Sequence, residues 1–266
     1  MTELQVVPGI ECCVLRSVPP FPVGTHAGRL PSLRCEIYRP VEAPPPREVF
    51  TPREWSLIRT CRTPERVQWW LNSLPYNDET HGETLRSFRD VVRRRNAHCL
   101  EAALAAAVIL EQHGHPPHVL SFDSKDNLDH VIFVFRRRGH WGSVARSRDA
   151  GLHGRTPVFR TIRELAWSYF DPYVDWTGRL QGYQLVDLRD LGRYDWRFNP
   201  KNMWKVEKFL IDIPHRPMRS SDARHRRLHA RFVAYRRRHP SGPVIDIYGG
   251  RELWMPLTDH ARAPRR

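Results

Sequence analysis

Residues 96–114, Asn96-Ala97-His98-Cys99-Leu100-Glu101 and onward (NAHCLEAALAAAVILEQHG), form the most regular stretch of this 266-residue chain. Alanine and leucine fill the interior, Asn96 stands where an N-cap belongs, and Gly114 stands where a left-handed residue ends a helix. The apolar residues run most of the way round, which predicts a central helix covered on nearly every side. Three strand-like pieces follow: Pro117–Phe122, His130–Phe135 and Trp141–Ser147, the last two joined by Arg136–His140 with Gly139 in the turn. One helix followed by consecutive antiparallel strands is the order of an α+β fold, not of βαβ units.

Working outward, residues 1–48 are rich in proline (Pro19, Pro20, Pro22, then Pro44–Pro46) and read as an extended arm that packs on the core. Thr51-Pro52-Arg53-Glu54 and Thr63-Pro64-Glu65 are helix starts, with threonine as N-cap and proline at the first helical position. Helical text continues from the first to about Ile58, and Pro75 ends the second. Downstream, Arg160–Phe170 has the spacing of an amphipathic helix, and Trp204–Ile213 is a short helix stopped by Pro214. Residues 220–238 form a strongly basic helix with Leu228, Phe232 and Tyr235 as its narrow apolar stripe. This organisation predicts an N-terminal arm (1–48), a folded core (49–215) and a basic C-terminal segment (216–266), with no internal repeat.

Composition removes several classes of protein. Apolar residues make up 40% of the chain and charged ones 27%, enough for a buried core and incompatible with global disorder. The longest apolar run, Ala102–Leu110, is far shorter than the ~20 residues that span a bilayer. The start, MTELQVVPGIECC, has neither the basic nor the apolar region of a secretion signal, so the expected location is cytoplasmic. The five cysteines (Cys12, Cys13, Cys35, Cys61, Cys99) are odd in number and irregularly spaced, which argues against a disulfide framework. There is no CxxC pair, HExxH, GxxxxGK[ST] or GxGxxG, so zinc, P-loop and dinucleotide chemistry have no motif support. The formal charge is +14, and only Lys125, Lys201, Lys205 and Lys208 among 43 basic residues are lysine. Arginine forks suit phosphate, but a GC-rich genome produces the same bias, and the basic helix reads first as a solvated face.

The pair that carries chemistry is Cys99 and His130. If Asn96 caps the helix, Cys99 lies in its first turn, where unpaired N–H groups and the helix dipole stabilise a thiolate and can hold a developing oxyanion. His130 opens a strand after the polar loop Ser124–Asp129, from which an imidazole can reach the helix N-terminus. His98 reads as a cap or surface residue. Gln68, Asn72 and Asn77 stand before the nucleophile, where a side-chain oxyanion donor could sit, and each reads first as structural. Of the tryptophans, Trp141 is expected nearest the site and most of the others in the core.

Three pieces in this order, residues 96–103 (NAHCLEAA), 129–135 (DHVIFVF) and 139–142 (GHWG), resemble the core of the transglutaminase-like superfamily. The later stretches 163–173 (RELAWSYFDPY) and 204–215 (WKVEKFLIDIPH) resemble bacterial proteins that carry this core. The resemblance implies a transglutaminase-like or papain-like fold, with a central helix packed on an antiparallel sheet and flanking helices. It also implies a catalytic Cys, His and acid, which places Cys99 as nucleophile and His130 as base. The family's acid usually follows the hairpin tryptophan by about four residues, and Ala145 occupies that position. Ser147 and Asp149 are therefore the expected third members, ahead of Ser143, while Asp129 should point away from the imidazole.

The implied activity is thiol-dependent hydrolysis or acyl transfer on an amide or peptide-like substrate, needing neither cofactor nor metal. Two alternatives stay open. One is an inactive, protein-binding version of the fold, suggested by Ala145. The other is a nucleic-acid-associated protein that meets an anionic partner through 220–238, suggested by the arginine clusters at 93–95, 136–138 and 236–238.

Overall fold

The structure, a computed structural model, describes residues 43–241 and 247–255. The expected N-terminal arm, with Cys12, Cys13 and Cys35, lies almost wholly outside the described residues. Both threonine starts form. Thr51 caps α1 (Pro52–Thr60) in a reciprocal box, its hydroxyl accepting from the Glu54 N–H (3.3 Å) and the Glu54 carboxylate accepting from the Thr51 N–H (2.8 Å). Thr63 caps α2 (Pro64–Asn72) in the simpler way, by accepting from the Arg66 N–H. A helix the sequence pattern did not predict, α3 (Phe88–Arg94), buries Phe88, Val91 and Val92 and stops at Arg95 in the left-handed region (φ 62°). Its seven residues are too few to show a period.

The central helix α4 runs Cys99–Glu111. Its N-cap is His98, not Asn96: the Glu101 carboxylate accepts from the His98 N–H (3.1 Å), while Asn96 Oδ1 accepts from Arg86 Nη1 (2.7 Å). Cys99 thus becomes the first helical residue. At the other end Gly114 adopts φ 82° and the His115 N–H reaches back to the Leu110 carbonyl, as a left-handed stop requires. Every α4 residue from Leu100 to Glu111 is buried, and the small alanines let the sheet approach closely.

Among the described residues the sheet has six strands in the order β4-β3-β2-β1-β5-β6: β1 (His118–Ser124), β2 (His130–Arg137), β3 (His140–Val144), β4 (Arg155–Phe159), β5 (Leu180–Asp187) and β6 (Arg216–Pro217). All neighbours pair antiparallel. Val119, Val131, Phe133 and Phe135 face the core shared with α1–α4. Leu120, Phe122, Ile132 and Val134 face a second core with α5 (Ile162–Trp167), Tyr169, Phe170 and Tyr183. Burial on both faces explains why β2 reads as an unbroken apolar run rather than an alternation. The architecture is α+β, with helices and an antiparallel sheet, as expected.

Three strands are expected from the sequence, and the sheet holds further ones. Two strands lack a sequence signal: β4, where Pro157 is tolerated because the strand lies at the sheet edge, and β5, whose Gly182 interrupts the pattern. A Cβ at Gly182 would stand 2.8 Å from the His215 Cβ. After α6 (Trp204–Asp212), β6 extends the sheet from inside the expected basic segment. The last helix, α7 (Asp222–Arg238), buries Phe232 and Tyr235 with Leu228 half-buried, and Arg226, Arg227 and Arg231 are exposed. Among the described residues no helix is long and apolar enough to cross a membrane.

Candidate active site

The start of α4 is built around Glu101. This buried carboxylate accepts from the backbone N–H groups of His98 (3.1 Å) and Arg86 (3.0 Å), from Asn77 Nδ2 (3.1 Å) and from the Thr84 hydroxyl (3.1 Å). Together these fix the cap residue and the turn on which Cys99 stands. Cys99 is half-buried and opens into a cavity of about 560 Å³ that His98, His130, Tyr76, Ser147, Asp149 and Leu152 also line. Cys99 and His130 therefore share one space.

His130 is 3% exposed and stacks its ring on Phe122 (centroids 6.2 Å apart, planes at 13°). Its Nε2 lies 3.1 Å from the Leu152 carbonyl oxygen. A carbonyl only accepts, so Nε2 carries the proton and Nδ1 is the nitrogen left for the thiol. Burial pushes the Cys99 thiol up, but hydrogen bonds and charge from His130 and His98 outweigh it and bring the thiol down to about 5. At His98 burial pushes the imidazole down, and Cys99, Glu101 and the Thr84 carbonyl (2.9 Å from Nε2) raise it to about 9. The thiol is thus flanked by two imidazoles, and a thiolate–imidazolium state is favoured at neutral pH. His98, read from sequence as a cap or surface residue, is the cap and also a partner of the thiol.

The Tyr76 hydroxyl lies beside the Cys99 backbone N–H. Burial and the Cys99 charge push its ionisation well above the usual range, so it keeps its O–H proton beside Cys99. Arg146 and Arg148 cover the Tyr76 ring at 5.7 and 5.3 Å.

The expected third members are engaged elsewhere. Ser147 Oγ accepts from the Asp149 N–H (3.3 Å), Asp149 Oδ1 accepts from the Gly151 N–H (2.8 Å), and Ser143 Oγ pairs with Tyr169 Oη (2.7 Å). Asp129 Oδ1 accepts from the Ser124 N–H (2.9 Å), holding the β1–β2 turn. At the acid position, the Ala145 backbone pairs with the Gln68 amide, which donates to its carbonyl (2.7 Å) and accepts its N–H (2.9 Å). Gln68 Nε2 also donates to Asn72 Oδ1 (2.8 Å), so Gln68, Asn72 and Asn77 all serve structure rather than an oxyanion. The tryptophan on the cavity wall is Trp204, 41% exposed, not Trp141. Trp69 and Trp176 are exposed rather than core, whereas Trp196 is fully buried.

Among the described residues no three His, Cys, Asp or Glu side chains converge as metal ligands would. A larger cavity of about 740 Å³ borders Glu79 and Thr84 and is lined by Arg86, Arg93, Arg94 and Lys201; among the described residues no cysteine or serine lines it.

No family model matches the chain, and no curated protein matches it. Among solved structures, Legionella pneumophila LapG matches with a TM-score of 0.34 at 13% identity, over 53% of this chain and 82% of that one. The EGTA-treated form of LapG matches with a TM-score of 0.33 at 12% identity over the same shares. At these values the likeness establishes neither family nor activity.

Proposed function

We propose that the chain is a thiol-dependent hydrolase or acyltransferase of transglutaminase-like type, acting on an amide or peptide-like substrate. The observation that carries this reading is a solvent-reachable thiol at the first position of α4, sharing its cavity with an imidazole whose far nitrogen is tied down. In the first half-reaction Cys99 gives its thiol proton to His130 Nδ1, and Sγ attacks the substrate carbonyl carbon. The oxyanion is met by N–H groups of the first helical turn and by the Tyr76 hydroxyl. His130 Nδ1–H gives its proton to the leaving amine as the C–N bond breaks, leaving a thioester. In the second, water or an amine attacks the thioester, His130 takes the proton released, and Cys99 is freed.

The experiment is to incubate the protein with activated esters and peptide amides and follow intact mass. A transient acyl adduct on Cys99, lost in Cys99→Ala and accumulating in His130→Ala with activated esters, supports the reading. A Cys99 that alkylates readily yet forms no acyl adduct with any acyl donor would favour the protein-binding alternative.

A further inference from the structure

A thiol–imidazole pair works best when a third group holds the ring in one tautomer and one orientation. We propose that this group is a main-chain carbonyl, that of Leu152, and that Arg155 and Asp149 are the positioning residues that hold it in place. The proposal rests on the thiol chemistry put forward above.

The turn at 149–154 has a donor for each of its carbonyls. The Asp149 carbonyl accepts from the Leu152 N–H (3.0 Å), that of Ala150 from the His153 N–H (3.2 Å), and that of Gly154 from the Met255 N–H (3.0 Å). The Gly151 carbonyl takes Arg155 Nη2 (2.6 Å), and the His153 carbonyl takes Arg155 Nη1 (2.8 Å) and Tyr169 Oη (2.9 Å). Between those last two stands Leu152, whose carbonyl receives His130 Nε2 at 3.1 Å. One guanidinium therefore fixes the peptide groups on both sides of the acceptor.

Arg155 is 0% exposed, and among the described residues no carboxylate lies within ion-pair distance of it. Its partners are these carbonyls, Ser168 Oγ (3.3 Å) and carbonyl (3.2 Å), and the faces of Tyr169 (4.1 Å) and Trp254 (5.1 Å). Asp149 is a charged neighbour beyond ion-pair distance, so this buried cation depends chiefly on having its donors met, and a rigid fork of five N–H groups is what meets carbonyls two residues apart. Lysine, a point charge, cannot. Asp149 secures the opposite end of the turn through Gly151, so it acts on the imidazole without touching it. Gly154 completes the arrangement: a Cβ there would collide with Gln68 Oε1.

A carbonyl fixes the tautomer as a carboxylate does, but it brings no charge to stabilise the imidazolium. The second imidazole beside Cys99, that of His98, supplies the additional positive charge for the thiolate.

The test measures the pH dependence of Cys99 alkylation by iodoacetamide, together with the imidazole N–H resonances in 15N-labelled protein. The variants are Arg155→Lys, Asp149→Ala and Asp149→Asn, with Arg155→Lys also made in a His130→Ala background. In Arg155→Lys the acid limb should move up by about one pH unit, a tenfold slower reaction at a fixed pH on the limb, and the His130 Nε2–H resonance should be lost. Asp149→Ala should act in the same direction, and Asp149→Asn, which keeps an accepting oxygen, by less. Once His130 is alanine, Arg155→Lys should shift nothing further. The proposal is overturned if Arg155→Lys and Asp149→Ala keep the wild-type limb and resonance, if the shift persists without His130, or if Asn at 149 does as much harm as Ala. Should Arg155→Lys fail to fold, the Asp149 pair gives the same readouts. If wild-type Cys99 shows no depressed ionisation, the thiol reading fails, whereas the Nε2–H resonance still tests the carbonyl separately.

Discussion

Replacing Glu101 with alanine should undermine the helix start on which Cys99 stands. Four donors converge on this fully buried carboxylate: the N–H groups of Arg86 and His98, Asn77 Nδ2 and the Thr84 hydroxyl. Arg86 Nε (3.7 Å) and His98 Nε2 (3.6 Å) also lie within ion-pair distance of it. Each buried donor left without an acceptor costs about 1–3 kcal/mol. If entering water satisfies half of them, the loss is still about 4 kcal/mol, a large part of a typical total of about 5–15 kcal/mol. At roughly 2–4 °C per kcal/mol for a unit of this size, Tm should fall by about 8–16 °C. Glu101→Gln should fall in between, because one amide oxygen replaces an acceptor while the NH₂ group faces donors. The assay is urea unfolding followed by tryptophan fluorescence, with thermal melts in parallel. A loss below about 1 kcal/mol in Glu101→Ala would refute the assignment of Glu101 as the hub of the helix start.

Further outcomes follow from the same contacts. His98→Gln should raise the Cys99 thiol and move the acid limb of its alkylation upward, since His98 is one of two groups holding the thiol down; an unchanged limb would leave His130 as the sole partner. Gln68→Ala strips the Ala145 N–H and carbonyl of their partners and should cost about 2–4 kcal/mol in urea unfolding. Among the described residues the cavity wall carries Glu79, Glu83, Asp129, Asp149, Asp175 and Glu207 against Arg148 and the His98 imidazole, so a trimethylammonium thiosulfonate should modify Cys99 faster than its sulfonate counterpart, by about tenfold at low salt. Equal rates for the two reagents would mean that these carboxylates exert no field at the thiol.

Helix and strand periodicity carried much of this fold on its own. The text of 96–114 announced a buried helix because its apolar residues leave no polar stripe, and the alternation of faces in β2 was hidden by burial on both sides rather than by a weak strand. Pro157 and Gly182 concealed β4 and β5, because an edge position and a close backbone approach are properties of the assembled sheet. That Cys99 and His130 line one cavity follows from their places at the starts of α4 and β2, which the sequence pattern marks. The cap moved from Asn96 to His98 because Glu101, buried and accepting four hydrogen bonds, holds the His98 N–H. That contact brings in Thr84 and Asn77 from another part of the chain, which no local pattern reports. Leu152 was invisible for a different reason: its part is taken by a peptide carbonyl, which every residue possesses. Arg155 looked like one more arginine in a chain of +14, and only its burial sets it apart.

The most direct test of thiol chemistry at Cys99 is the pH–rate profile of its alkylation in the native protein, read by mass spectrometry against Cys61. Burial pushes the Cys61 thiol up to about 11, so it should remain unlabelled at neutral pH. Cys99 should react at a plateau rate at neutral pH, with the acid limb well below the ordinary thiol value of about 8.5, and His130→Ala should raise that limb. A Cys99 that titrates near 8.5, or that stays inert until the chain unfolds, would contradict the account and leave the residue a buried core thiol.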